Sequence, residues 1–392
     1  MKQIRHIDDL TIVANSVSHI LTLFSGGLDS TFVLESLAKL PVKVTLMAVD
    51  LGDEMDREQL LGIAQHYGAE LVVVNAREQF ASGPVMQAIR AQAKYLGLYP
   101  VSSSLSRPVI AQHAVILAER LGCEAIIHTA NQSQNSLRRL NGAIRQQGYS
   151  GYFGTPYEYS AISRAEKIAA LSLPAHFDFS SRVVSGDSNL WCREFESGVL
   201  DNPEQFTIPE GLFTWTKQVA NPPHLPVELE LTFEAGVPCR LNGQSLRPLA
   251  LLEELNVQIG AFGIGRYIGL EHLNEGEKVL EVREAPAACC LMDAYRHLET
   301  AVHDINLLRE KTTQECLWTL EAVEGRWGSA LHAASSAFID HTASRVTGSV
   351  KYRLSTGNMM VESIMADNAL YLTDRDAWEV KVAQVRSQRG LV

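Results

Sequence analysis

The chain reads as an α/β protein in two parts: a parallel-sheet, Rossmann-like domain of the nucleotide-binding type, followed by an α+β half. Three observations predict this. Short apolar runs alternate with amphipathic helical stretches from Ile20 onward, and a glycine-rich polar turn joins the first run to the first helix. Beyond Pro174 the pattern changes to strand-like segments punctuated by Gly and Pro.

The first run, ILTLF (Ile20–Phe24), leads into the helical STFVLESLAKL (Ser30–Leu40). VKVTLMAVD (Val42–Asp50), MDREQLLGIAQHYG (Met55–Gly68) and ELVVVN (Glu70–Asn75) repeat the alternation. Strands spaced by single helices imply βαβ units with right-handed crossovers, hence a parallel sheet. RPVIAQHAVILAERLG (Arg107–Gly122) has helical apolar spacing, and CEAIIH (Cys123–His128) supplies another buried strand. The expected division is therefore 1–173 for the nucleotide-binding domain and 174–370 for an α+β domain. The latter includes strand-like VELELTF (Val227–Phe233) and GSVKYRLSTGNMMVES (Gly348–Ser363). Residues 371–392 are left as a C-terminal segment for subunit packing. A stretch from Ala287 to Leu308 is helical and apolar on one face, which suits either a core or a subunit contact.

With 392 residues, 46% of them hydrophobic and 20% charged, the chain is long enough for two sizeable cores, and disorder or a fibre is excluded. The formal net charge of -11 disfavours holding a polyanion by summed surface charge, so nucleic acid is not an expected partner. A small anion in a local pocket is compatible with it. Cys123, Cys192, Cys239, Cys289, Cys290 and Cys316 show neither CxxC spacing nor the density of a disulfide scaffold, and read as buried thiols in a reducing compartment. With no signal-like N-terminus and no apolar run of about 18 residues, a soluble cytoplasmic protein without a membrane partner is expected.

The turn LFSGGLDSTF (Leu23–Phe32) carries the first chemistry. Strand, glycine turn and helix in that order present free backbone N–H groups at a helix N-terminus, where the macrodipole also favours an anion. Gly26 and Gly27 are expected to admit a ligand close to the backbone and to take positive φ, while Ser25, Ser30 and Thr31 add hydroxyls. Asp29 is a candidate ligand for Mg2+. The stretch lacks the lysine of GxxxxGK[ST]. The plainer alternative is a turn that only caps the next helix, and the following strand end at Asp50 and Gly52 weighs toward phosphate.

SGGLDS after a buried strand resembles the PP-loop of ATP pyrophosphatases, whose nucleotide-binding domain is of the HUP type. Further stretches are similar to the argininosuccinate synthase family: YPVSSSLSRPVIA (Tyr99–Ala111), VSGDSNLWCREFESGVLDNP (Val184–Pro203), LFTWTK, FEAGVPCRLNG, NVQIGAFGIGRYIGLEH and VTGSVKYRLSTGN, in the family's order. That resemblance implies an ATP- and Mg2+-dependent ligase, homotetrameric, with amino-acid-like substrates. ATP would activate the ureido oxygen of citrulline, and aspartate would displace AMP. It implies ATP contacts at Ser25, Gly26, Gly27, Leu28, Asp29, Ser30, Thr31, Val49 and Thr129, with catalytic roles at Ser25, Asp29 and Asn135. Acceptor contacts fall on Tyr99, Ser104, Asn135, Arg139, Ser185, Glu194, Glu271 and Arg283, and amine contacts on Asn131, Asn135 and Ser136.

Departures from the family pattern bear on the substrates. The family's glycine-rich HGATGKGNDQVRFE loop is HTANQSQNSLRRLN here (His128–Asn141), so its Thr and Asp contacts to aspartate become Asn131 and Ser136. A serine and a tyrosine that contact citrulline become Glu194 and Arg283. Two opposite charges have thus entered one pocket, either to pair with one another or to read a substrate group that citrulline lacks. The expected function is a ligase of this kind with a changed substrate pair. The alternatives are a genuine argininosuccinate synthase, a PP-loop tRNA-modifying enzyme and a non-catalytic nucleotide-binding paralogue.

Overall fold

The computed structural model describes residues 3–52, 55–174, 176–177, 179, 183–216, 225–273 and 276–388. Six strands lie side by side in the order Gln3–Ile4, Tyr152–Gly154, Ala125–Ile127, His19–Leu23, Lys43–Asp50 and Glu70–Asn75, each parallel to its neighbours. From His19–Leu23 the chain steps outward through Lys43–Asp50 to Glu70–Asn75, then returns to the opposite side for Ala125–Ile127. Strand order reverses there, and in an open α/β sheet the crevice beyond the strands' carboxyl ends at such a reversal is where ligands bind.

Alternate residues serve the two faces. Leu21 and Ile126 pack with Ala111, Ala114 and Ala118 of helix Ser103–Leu121, whereas Ile20, Ala125 and Ile127 pack with Val33 and Leu37 of helix Leu28–Ala38. Both faces are covered, as a parallel sheet requires.

The second half holds two antiparallel sheets. Four strands run in the order Arg266–His272, Lys278–Glu284, Cys192–Glu196 and Ser185–Asn189. Five run as Gln244–Ser245, Val237–Leu241, Val227–Glu234, Gly348–Ser355 and Asn358–Ala366. The five-stranded sheet packs Leu229, Leu231 and Tyr352 against Leu251 and Leu255 of helix Pro248–Gly260 and Leu291 and Tyr295 of helix Pro286–Val302. Phe80, Val85, Ile89 and Leu105 join the same core, so residues before position 174 help to build it.

The single helical stretch expected from Ala287 to Leu308 is two helices. Pro286–Val302 ends at His303, and Ile305–Val323 begins under an Asp304 side chain that accepts the N–H groups of Asn306 and Leu307. Such an N-cap offers a new helix start instead of a continued one. The apolar face of Pro286–Val302 is core. All six cysteines are free, but only Cys123, Cys192 and Cys290 are buried, and Cys316 is exposed, contrary to the uniform burial expected. No described helix is long and apolar enough to cross a membrane.

Candidate active site

A cavity of about 570 Å³ opens at the carboxyl ends of the central parallel strands. One wall is the turn after His19–Leu23. Gly26 has φ 70°, and a Cβ there would lie 2.6 Å from Leu60 Cδ2. Gly27 is extended at φ -78°, ψ 168°, so the positive φ expected of both glycines holds only for Gly26. Gly27 faces the cavity, where a Cβ would meet only Ser25 Oγ, at 3.3 Å. The first bond of helix Leu28–Ala38 runs from Thr31 N–H to the Gly27 carbonyl. The amides of Leu28, Asp29 and Ser30 therefore have no partner within the helix. The hydroxyls of Ser30 and Thr31 donate back to the same carbonyl at 3.0 and 2.8 Å. Ser25, Leu28, Asp29 and Ser30 line the cavity; Thr31 is fully buried and Gly26 stands behind the turn, both off the lining.

A lysine reaches the SGGLDS turn from elsewhere in the chain. Helix Arg164–Ala170 starts with a capping box between Ser163 and Glu166, and it brings Lys167 to the turn. Lys167 Nζ lies 2.6 Å from Asp29 Oδ1 and 4.4 Å from the centre of the Tyr157 ring, whose hydroxyl donates to the Asp29 carbonyl at 3.0 Å. Arg164 lines the cavity beside it.

The opposite wall is the four-stranded sheet. Side chains alternate between faces, so Ser185 and Asp187, Glu194 and Glu196, Glu281 and Arg283, and Gly269 and Glu271 share one face. The register places Glu194 opposite both Asp187 and Arg283. Arg283 pairs with Glu194, donates to Glu271 at 3.0 Å and Glu281 at 3.1 Å, and lies 4.1 Å over the Tyr99 ring. Glu271 further accepts from Arg139 at 2.6 Å, Asn135 at 2.7 Å and Tyr99 at 3.2 Å. Arg139 completes its fork on the Val323 carbonyl at 2.9 Å and Ser103 Oγ at 2.7 Å. The two charges that replace the family's serine and tyrosine thus pair with one another.

Burial works against the charged forms of Glu194, Glu271, Glu281 and Arg283. Arg139 and Arg283 outweigh it at Glu271, whose carboxyl is held at about 2. Burial prevails at Glu194 and Glu281, and both are pushed upward in spite of Arg283. It also lifts Glu196 to about 7, with Glu194, Glu271 and Asp187 adding repulsion.

The loop after Ala125–Ile127 closes the cavity. Thr129, Ala130, Gln134, Asn135 and Ser136 line it. Ser136 Oγ accepts from Arg107 Nε and Nη2 at 3.1 and 3.0 Å, and Arg107 also pairs with Asp187. Gln134 Nε2 donates to Glu196 at 3.0 Å. His128 is fully buried at the strand end. Its Nε2 lies 3.0 Å from Asn141 Oδ1 and so carries the proton, leaving a buried Nδ1 acceptor without a partner among the described residues.

Of the residues singled out in the sequence, Val49, Thr129, Asn135, Arg139, Ser185, Glu194 and Ser136 also reach the cavity. Tyr99, Glu271 and Arg283 sit behind it as a hydrogen-bonded layer. Ser104 is buried off the lining; its neighbour Ser103 faces the cavity and holds Arg139. Asn131 turns aside, its Oδ1 accepting from Ser133 at 2.8 Å. Sequence reasoning overlooked Ser103, Arg107, Arg164, Lys167, Gln134, Asp187, Glu196 and Glu281. The period of two in SGDSN, CREFE and VLEVRE was the available signal for the three acids.

Among the described residues no three His, Cys, Asp or Glu side chains group to hold a metal ion, and Asp29 is engaged by Lys167. The Asp29 carboxylate at the turn is a hard oxygen donor of the kind magnesium takes.

Two family models match the chain: the arginosuccinate synthase N-terminal HUP domain over residues 19–171 and the arginosuccinate synthase C-terminal domain over residues 184–392. Among curated relatives, the argininosuccinate synthase of Pyrococcus furiosus is 33% identical, across 90% of this chain and 86% of that protein. That of Synechococcus elongatus is 34% identical, across 91% and 90%. That of Methanothermobacter thermautotrophicus is 32% identical, across 96% and 94%.

Proposed function

Because the chain belongs to the argininosuccinate synthase family of ATP-dependent, AMP-forming carbon–nitrogen ligases, we propose that it adenylates the ureido oxygen of a citrulline-like acceptor and joins that carbon to an amine. The observation that carries this reading is one cavity with an anion seat at one end and an acceptor cluster at the other. The amides of Leu28, Asp29 and Ser30, with Lys167 and Arg164, suit the departing pyrophosphate. Magnesium arriving on the triphosphate would meet Asp29 and neutralise phosphate charge. Asn135, at the end of the loop, donates to Glu271 and is placed to orient the acceptor. A ureido carbon is a poor electrophile until its oxygen carries adenylate, and enclosure of both substrates beside ATP supplies proximity.

The names of the relatives favour citrulline and aspartate as the pair. A second reading, with a changed pair, is favoured by one specific observation. Glu194 and Arg283 form a buried pair where the resemblance implies uncharged contacts, and Ser136, in place of an acid, is taken up by Arg107. Assay of argininosuccinate formation with ATP, magnesium, citrulline and aspartate separates the two. A kcat/KM of about 10⁴ M⁻¹s⁻¹ or more supports the first reading. A much lower value, with fast pyrophosphate release from another pair in a substrate screen, supports the second. In either case the spent nucleotide is AMP; a dominant ADP product rejects the mechanism.

A further inference from the structure

We propose that Glu196 receives the ammonium group of the amine substrate and takes the proton that must leave before that nitrogen can attack. This rests on the ligase reading above and assigns a residue to its second half. Four features of the cavity carry it. Glu196 lines the cavity, on the same sheet face as Glu194. Among the described residues its one hydrogen-bond partner on a side chain is the Gln134 amide, and Gln134 belongs to the 128–136 loop, where the resemblance places the amine. Glu196 is thus tied to the amine loop on one side and to the sheet wall on the other.

The third feature is charge. Around Glu196 stand Glu194 on its own strand, Asp187 on the adjacent Ser185–Asn189 strand, Glu281 on Lys278–Glu284 and Glu271 on Arg266–His272. The cations of the wall are already committed: Arg283 to Glu194, Glu271 and Glu281, Arg139 to Glu271, and Arg107 to Asp187. Glu196 forms no ion pair with any described residue, so a cationic ligand has an open carboxylate to meet. Fourth, His128 lines the same cavity, and its buried Nδ1 has no hydrogen-bond partner among the described residues.

The chemistry balances. An amine arrives as R–NH3+ and gives one proton to the Glu196 carboxylate, leaving R–NH2. The nitrogen lone pair forms the C–N bond to the activated carbon, and the C–O bond to the adenylate breaks with its electron pair leaving on AMP. The nitrogen's second proton leaves with AMP, and Glu196 returns its own to solvent. A base works best when its pKa is near the working pH, and burial with repulsion from neighbouring acids lifts this carboxyl to about 7.

The test uses the full chain with citrulline as acceptor and aspartate as amine, comparing the unmodified protein with Glu196→Gln and Glu196→Asp. Citrulline-dependent exchange of pyrophosphate into ATP reports adenylation alone, and argininosuccinate formation reports the whole sequence. Glu196→Gln keeps a hydrogen-bonding partner for Gln134 and should leave exchange within about threefold. It should slow product formation by about a hundredfold or more and abolish the rise in rate through about pH 7. Hydroxylamine, already unprotonated at neutral pH, should react with the adenylate at similar rates in both proteins, and Glu196→Asp should recover part of the lost rate. Equal loss of exchange and product formation in Glu196→Gln, or an unchanged pH profile, would overturn the assignment. Absence of exchange in the unmodified protein with citrulline and with every other acceptor of the substrate screen would instead overturn the ligase reading, and this inference with it.

Discussion

Lys167 brings to the SGGLDS turn a cation that the turn itself does not contain. It is almost fully buried, and its ammonium lies 2.6 Å from Asp29 beside the free amides of the helix N-terminus. A charge-assisted hydrogen bond contributes about 1.5–3 kcal/mol. Lys167→Met should therefore lower kcat/KM for ATP by about ten- to a hundredfold, measured by pyrophosphate release at saturating acceptor. Unchanged ATP dependence would remove Lys167 from the seat. The strand–turn–helix itself was legible because strand, glycines and helix are contiguous. The lysine was not, since Ser163 and Glu166 announce a helix without saying what it will face. The two glycines separate in the same way. Gly27→Val places a branched side chain where phosphate approaches and should abolish turnover in a folded protein, whereas Gly26→Val must also adopt φ 70° against Leu60 and should lower the unfolding midpoint as well. Equal midpoints for the two variants would contradict this division of roles.

At the scale of an element, the four-stranded sheet turns one face of ionisable side chains to the cavity. Motif resemblance found Ser185, Glu194, Glu271 and Arg283 on it; alternation alone adds Asp187, Glu196 and Glu281, because a strand repeats every second residue. What the sequence withheld was the pairing across strands that makes Arg283 the hub. Removing one member of a buried ion pair leaves its partner uncompensated and costs about 3–5 kcal/mol. Arg283→Tyr alone should be destabilising on that scale, and addition of Glu194→Ser should recover a large part of it, since residues in contact do not act additively. Denaturant midpoints of the single and double variants test this; strict additivity would mean the pair is not the organising contact. The same face sets two opposite pH trends. Glu271, held at about 2, stabilises the fold above its ordinary 4.5, and that contribution is lost as pH falls from 4.5 towards 2. Glu196, raised to about 7, binds its proton more tightly when folded, so its contribution is lost as pH rises from 4.5 through about 7. The melting temperature of the unmodified protein relative to Glu196→Gln should accordingly fall across that upper window. A difference independent of pH would show that the carboxyl is not shifted.

For the whole molecule, the division at 174 reflects a change of sequence texture, while packing ignores it: Phe80, Val85 and Ile89 share a core with Leu251, Leu291 and Trp318. Periodicity reports which face of a helix is apolar and is silent on which distant element will cover it. The C-terminal segment shows the converse case. Helix Arg375–Gln388, with residues 389–392 outside the described residues, carries Trp378, Val382 and Val385 at helical spacing on one face. Trp378 and Val385 remain 46% and 40% exposed, and Leu370, Tyr371 and Leu372 before them are exposed as well. A helix of this length is marginal in water without packing. An apolar stripe that the described residues leave uncovered is suited to a second copy, as the resemblance to a homotetrameric family implies. A chain ending at Leu370 should then keep the parallel sheet, both antiparallel sheets and the cavity, since the segment contributes no member to the hydrophobic cores. Its mass by light scattering should drop from a multiple of the 43.2 kDa chain towards a smaller assembly, with ATP binding retained. A truncated protein with the same subunit number as the full chain would place the subunit contact elsewhere on the surface.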